Sequence, residues 1–356
     1  MGEVRALLML DALPGVGLVR LKRLVEAFGS AERAIAAPTA ELERIAGRGT
    51  AVGLHDRSLG AAIDTALGIA ARRGMEICTW SSADYPRALL HLHDPPPVLF
   101  LLGRRDLLST RIVTVVGARR ATARSRDVAE RLGGALARAR VTVASGLALG
   151  IDAAAHRGAL GARGDTIAVM GRGADEAYPP GHRRLFRQIA EEGLIVSEFL
   201  PGTPPLPHHF PRRNRILAGL AHAVVVVEAA ATSGSLITVD HALDLGIEVW
   251  AVPGPIETAV CEGSNRLLAD GARPLVSVAG FVRAVTGVEA GEQMELEMGQ
   301  GPAGRVLAQL GAHPLGVDQV ATEAHLPVAE ALALLTAMEL EGLVRQLPGM
   351  RFERVA

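Results

Sequence analysis

The middle of this sequence, about 180 residues, predicts a doubly wound α/β fold. Six short apolar runs, at 112–116, 141–144, 166–170, 194–196, 223–227 and 248–252, have strand length and lack polar alternation. Helical segments at 125–138, 151–160, 183–192 and 236–245 stand between them. Apolar strands alternating with helices make a mainly parallel sheet covered on both faces. Valine-rich runs such as 224–227 belong to its core and carry no function of their own.

The flanking elements follow in order. Residues 1–72 read as a helical domain. Residues 1–10 are apolar but short and end at Asp11 and a Pro-Gly turn, so a helix is expected and not a signal peptide. Leu13-Pro14-Gly15-Val16-Gly17 then feeds a second helix. Such a Gly-x-Gly turn can offer free N–H groups to a phosphate, as helix-hairpin-helix units do, or simply join two helices. Strand candidates at 76–80 and 98–102 flank Asp94-Pro95-Pro96-Pro97 and open an α/β domain expected over 73–286. The polar, acidic stretch 287–301 reads as a linker. Within 302–356, helices at 304–310, 317–324 and 328–341 and a hairpin of 343–347 with 350–354 suggest a winged helix. Its recognition helix has neither Arg nor Lys over 328–335, which favours protein contact or regulation over DNA contact.

Composition narrows the chemistry. The 37 basic residues balance 38 acidic ones, so a polyanion must meet a local patch and not a global field. Lys22 is the single lysine, which excludes a Gly-Lys-Ser/Thr phosphate loop and a lysine base or Schiff base beyond the N-terminal segment. Cys78 and Cys261 stand far apart with no Cys or His at ligand spacing, so neither a disulfide framework nor a zinc site is expected. No apolar run approaches the ~18–20 residues that span a bilayer. A soluble, cytoplasmic protein without cofactor or metal is the expectation.

In a parallel sheet each strand's C-terminal end opens toward a helix N-terminus, where anions are favoured. Gly117-Ala118-Arg119-Arg120 follows the first such strand; Gly117 allows close approach and Arg119 meets whatever approaches. Ser145-Gly146 opens the loop after the second, with Asp152 as helix cap or first-turn acid. Ser233-Gly234-Ser235 follows the fifth, with Ser235 a natural N-cap. Between them lies Phe210-Pro211-Arg212-Arg213-Asn214-Arg215-Ile216, reached through a Pro-rich stretch. Guanidinium forks suit phosphate and an aromatic face stacks on a base, in a chain with only 3% aromatics. Together these loops describe one crest of N–H donors and arginines.

Two enzyme readings compete. Asp152 and His156 are four residues apart and share a helix face, which could make His156 a general base; a hydrogen-bonded structural histidine is the better reading. Thr232-Ser233-Gly234-Ser235 is similar to the phosphate turn of nucleotide ribohydrolases, but no Glu follows within 236–240. A nucleotide or nucleoside-phosphate hydrolase therefore stands only as the alternative. No Gly-x-Gly-x-x-Gly opens the first βα unit, which argues against dinucleotide binding.

These segments resemble the DNA-processing protein A family (DprA, also called Smf). The resemblance runs from Tyr85-Pro86 through Gly117-Ala118-Arg119, Ser145-Gly146, Tyr178-Pro179, Ser197-Glu198, Phe210–Ile216, Thr232–Thr238 and Gly263-Ser264-Asn265 to Asp270-Gly271-Ala272. It implies an extended Rossmann domain that binds single-stranded DNA as a homodimer. It further implies loading of RecA recombinase in natural transformation, no catalytic turnover, and helical and winged-helix end domains. The family's Gly-Ser-Arg turn falls on Gly117-Ala118-Arg119, so Arg119 takes the phosphate role and a hydroxyl is lost. Pro207 stands where members often carry a Lys, and Arg212 or the Arg183-Arg184 pair is the candidate replacement. The candidate DNA-binding set is thus Gly117, Arg119, Ser145, Gly146, Arg183, Arg184, Phe210, Arg212, Arg213, Asn214, Arg215, Ser233, Gly234 and Ser235.

Overall fold

The apolar runs pair as their pattern predicts. In the computed structural model, which describes residues 2–49, 53–54, 56–287, 302–310, 314–340 and 343–354, they form a nine-stranded sheet. Its strands are β1 (Glu76–Thr79), β2 (Val98–Gly103), β3 (Ile112–Val116), β4 (Thr142–Ser145), β5 (Thr166–Val169), β6 (Leu194–Ser197), β7 (Ala223–Val226), β8 (Glu248–Ala251) and β9 (Arg273–Pro274). Spatial order is β1-β2-β6-β5-β4-β3-β7-β8-β9. Every pair from β6 across to β9 is parallel, and β2 joins β6, and β1 joins β2, antiparallel.

The order has one functional consequence. From β3 the chain winds outward through β4, β5 and β6, then returns to place β7 on the other side of β3, with Val113 opposite Ala223 and Val116 opposite Val226. The loops after β3 and β7 therefore diverge to opposite faces and leave a crevice between them. Valine and isoleucine fill these strands because both faces are covered, and Val113, Val115, Val224, Val225 and Val226 are fully buried.

Residues 1–281 make one unit. Its first 72 residues hold helices α1 (Gly2–Asp11), α2 (Leu18–Phe28), α3 (Ala31–Ala36), α4 (Thr39–Ala46) and α5 (Arg57–Arg72). They share a core with one sheet face, since Leu7, Leu10 and Ile63 cluster with Phe100, Ile195 and Ile189. The Gly-x-Gly turn enters α2 with Gly15 in the left-handed region at φ 79°, and Arg20 Nη1 donates to the Gly15 carbonyl at 2.6 Å. That bond closes the turn from within.

The sheet's covering helices are α6 (Ala123–Arg138), α7 (Ile151–Gly161), α8 (Arg183–Glu192), α9 (His209–Leu220), α10 (Leu236–Asp244) and α11 (Glu262–Ala269). Helix α9 holds the Phe210 segment, which the sequence pattern alone did not mark as helical. Pro211 is tolerated because it lies in the first turn, where its missing N–H leaves no bond unmade. Then α12 (Val278–Thr286) follows, Phe281 standing edge-on to Trp250 at 5.0 Å.

Residues 282–356 make the second unit. Helices α13 (Pro302–Gln309), α14 (Val317–Glu323) and α15 (Val328–Leu340) pack around Val306, Leu307, Leu335 and Phe352. Strands β11 (Val344–Leu347) and β12 (Arg351–Arg354) form the expected hairpin. A short third strand, β10 (Leu315–Gly316), pairs with β12 and completes a winged helix; two residues are too few to leave a periodic signal. Residues 288–301 of the expected linker lie outside the described residues. Among the described residues no helix is long and apolar enough to cross a membrane.

Candidate nucleic-acid interface

The crevice between β3 and β7 opens into a groove of about 530 Å³. Arg119 and Arg120 edge one side, Ser233, Gly234 and Ser235 the other, and Phe210, Arg213 and Asn214 line it from α9. Two of these walls are turns between a strand and a helix start, the kind of turn at which helix dipoles favour anions.

The loop carrying Arg119 is held from both ends. Ala118 N–H donates to the Glu228 carbonyl at 2.7 Å, across from β3 to the end of β7. The buried Glu228 carboxylate accepts from Thr122 Oγ1 and Ser125 Oγ, each at 2.7 Å, and from Thr122 N–H at 3.1 Å. Thr122 in turn caps α6 by accepting from Ser125 N–H. Gly117 is obligatory in this loop, because a Cβ there would lie 2.6 Å from Ile151 Cγ1 and 2.9 Å from the Glu228 carbonyl. Arg119 itself is exposed, with its guanidinium 5.2 Å from the Phe210 ring centroid. Among the described residues it has no acidic partner within salt-bridge distance.

Phe210 is half-buried, with Tyr178 at 5.5 Å between ring centroids and tilted 34°. A Cβ at Gly171 would come within 2.7 Å of its ring, so that glycine makes the seat for the aromatic. The ring also lines the groove.

Of the remainder of the seven-residue segment, Pro211 and Arg212 are exposed, whereas Arg213, Asn214, Arg215 and Ile216 are buried and not offered to solvent, which corrects the sequence expectation. Arg213 is 4% exposed; Nη1 donates to the carbonyls of Gly146, at 2.9 Å, and Val169, and Nε to Asn214 Oδ1 at 3.2 Å. Burial pushes its guanidinium down to about 10, with Asp152 acting against the drop and Arg119 adding to it. It stays charged at neutral pH and serves as an internal strut. Asn214 is also buried and spends Nδ2 on the Gly234 carbonyl at 3.0 Å, which ties α9 to the loop after β7. Arg215, 6% exposed, grips Glu198 with two bonds of 3.1 and 2.7 Å and reaches Asp94 at 3.4 Å. Burial pushes the Glu198 carboxyl up while Arg215 and Arg212 hold it down. Only Arg212 of the three arginines is half-exposed, and it too meets Glu198, at 3.0 Å.

Two further expected contacts turn inward. Ser145 is fully buried and donates to the Val115 carbonyl at 2.6 Å, joining adjacent strands. Gly146 is buried as well, and its N–H donates to Asp152 Oδ2 at 3.1 Å, alongside Ala148 N–H at 3.3 Å. The Ser145 hydroxyl and the Gly146 N–H are thus engaged in shaping the loop. Ser235 stands at the N-cap of α10 without capping it; its hydroxyl pairs with Ser233 Oγ at 2.8 Å. The first-turn N–H groups there keep no side-chain cap. Arg183 and Arg184 are exposed on the first turn of α8.

His156 is the structural histidine of the two readings. It is fully buried, with Nδ1 2.7 Å from Thr166 Oγ1, and burial pushes it down to about 3. A neutral, sealed imidazole cannot exchange protons with a substrate.

Sequence reasoning missed Glu228, Thr122 and Ser125, which set the Arg119 loop, and gave Tyr178 no role. Glu228 ends a valine strand, and a carboxylate at that position was the available signal. Tyr178 is one of two tyrosines in the chain.

Comparison with known proteins gives a consistent picture. Residues 76–286 match the family described as DNA recombination-mediator protein A, and residues 293–350 match the DprA winged helix domain. Protein Smf of Synechocystis sp. is 33% identical over 383 residues, covering 96% of this chain and 96% of its own. The X-ray structure of DNA processing protein A from Streptococcus pneumoniae superposes with a TM-score of 0.67 at 31% identity, over 83% of this chain and 98% of that one. DNA processing protein A from Helicobacter pylori, whose structure concerns its single-stranded DNA binding mode, gives a TM-score of 0.55 at 29% identity, over 59% and 95%.

Proposed function

The chain belongs to the DNA recombination-mediator protein A family (DprA/Smf), and on that premise we propose that it binds single-stranded DNA without sequence preference and loads RecA recombinase onto it. One observation carries the reading. Arg119, with no acidic partner among the described residues, stands against Phe210 at the mouth of a groove whose walls include two strand-to-helix turns. Guanidinium and N–H groups answer phosphates; the aromatic answers a base, and every base has a face to stack. The amide of Asn214, the groove's natural base-edge reader, is engaged by Arg213 and Gly234, so composition should matter little. In this reading the protein takes part in DNA processing during natural transformation and acts by binding, without turnover.

A homodimer fits the same reading. Leu243 at 61%, Val276 at 82% and Ile256 at 92% exposure are carried by α10 and by the loops after β9 and β8. The homodimer itself follows from the family reading, and these side chains are the surface positions at which to test it.

The test is competition of labelled oligo-dT by mixed single strand and by duplex of equal length, beside a nucleotide-turnover assay. Single strands of any composition should compete alike and duplex worse, with no turnover. Equal competition by duplex, or hydrolysis of a nucleotide, would overturn the reading. RecA loading is measured as filament assembly on a single strand with and without this protein, and dimerisation by sedimentation.

A further inference from the structure

The groove shares a wall with a second, smaller cavity. Arg119 and Phe210 line both the groove of about 530 Å³ and a pocket of about 80 Å³ behind it. The pocket's other walls include Tyr178, Pro179, Leu149 and Gly171. Leu149 is 51% exposed, and Tyr178 leans toward Phe210 at 5.5 Å. Arg172 also lines the pocket, but Glu176 holds its Nη2 at 2.7 Å. The pocket is thus aromatic and apolar with one uncommitted cation, Arg119, at its rim.

The chain leaves this pocket along a basic path. Residues 179–188 read Pro-Pro-Gly-His-Arg-Arg-Leu-Phe-Arg-Gln, with three arginines and no acid. His182 Nδ1 lies 3.0 Å from the Leu147 carbonyl, which ties the start of α8 to the loop that carries Leu149. Arg184, Arg187 and Gln188 line a surface cleft of about 290 Å³ that Glu191 ends. Arg183, Arg184 and Arg187 are exposed, and none has an acidic partner among the described residues. Arg184 and Arg187 are three residues apart, about 4.5 Å along the helix axis, the order of the step between neighbouring phosphates on one strand.

We propose that this is a second stretch of the strand path. The strand crosses the Arg119–Phe210 wall, seats one base against Tyr178 and Leu149, and lays its next phosphates along α8 on Arg183, Arg184 and Arg187. This rests on the single-strand reading above and lengthens its footprint. The helix start adds its dipole to the three guanidinium groups at the point where the backbone emerges.

The experiment compares a short oligo-dT of about 5 nucleotides with one of about 15, bracketing known footprints of single-strand binders. Affinity is measured by fluorescence anisotropy over a salt series. Arg187→Ser should flatten the log K against log salt slope by about 0.7 with the long strand and leave the short strand's slope alone. Arg187→Lys should keep the slope. Tyr178→Ala should weaken the long strand roughly 5- to 100-fold without changing its slope, and Tyr178→Phe should restore it. If Arg187→Ser and Tyr178→Ala bind the long strand like the parent, the second stretch is wrong while the groove stands. If the parent binds neither strand, the single-strand reading falls and this proposal with it.

Discussion

The guanidinium of Arg213 occupies the space in which a Cβ on Gly146 would stand: that atom would lie 2.3 Å from Arg213 Nη2. The glycine is therefore fixed by a side chain from α9 and not by a turn. Gly146→Ala should cost about 1–3 kcal/mol through overpacking, because Arg213 is bonded on two sides and cannot swing away. A thermal melt of the variant measures it, and an unshifted midpoint would contradict the strut role.

Arg212 and Arg215 share Glu198 yet should behave oppositely. Arg215→Ala removes the main partner of a buried carboxylate and should destabilise the fold by about 3–5 kcal/mol. Arg212→Ala, at a half-exposed pair, should change stability by no more than about 1 kcal/mol. Urea denaturation of both variants decides, and equal losses would refute the division.

Arg119→Ala should leave the melting temperature in place and weaken single-strand binding. Its exposed guanidinium lies over the Phe210 ring and makes no ion pair among the described residues, so little folding energy goes with it. Loss of one phosphate contact should reduce the salt slope by about 0.7. Unchanged affinity and slope would remove Arg119 from the interface.

Phe210→Ala should show in two assays at once. The groove side of the ring predicts a loss of ~1–3 kcal/mol in binding, with the salt slope unchanged since stacking releases no counterions. Its contact with Gly171 and Tyr178 predicts a smaller loss of stability than the ~3–5 kcal/mol of a fully buried Phe. A full-sized stability loss with normal binding would make the residue core alone.

Acid should unfold the protein partly through His156. Its folded value of about 3 lies below the ordinary value of 6.5, so the unfolded state binds the proton more readily in between. Its contribution is complete above pH 6.5 and declines as pH falls toward 3, by up to about 1.4 kcal/mol per pH unit. His156→Gln should flatten the stability curve over that window. An unaltered acid limb would place the sensitive group elsewhere.

The fold was legible because burial on both sheet faces writes itself into sequence as unbroken apolar runs, such as 112–116 and 223–226. The place of Arg119 was legible too: it follows a glycine at a strand end, and its side chain is exposed at the groove's edge. The mixed fate of the Phe210 segment was not. Arg212 and Arg215, three residues apart, both meet Glu198 while Arg213 turns to the Gly146 carbonyl, and residue type alone does not say which side of the helix faces inward. A partner such as Glu198 or the Gly146 carbonyl becomes visible only when distant segments meet.

The link from Glu228 to Ala118, Thr122 and Ser125 spans the two halves of the winding and fixes the Arg119 loop before any ligand arrives. The entropy cost of association then falls on the strand, which must surrender its own freedom to follow a surface already in register. Affinity should accordingly respond to how stiff the strand is beforehand, so that two sequences offering the same phosphates and the same stacking faces can differ through their own internal order alone.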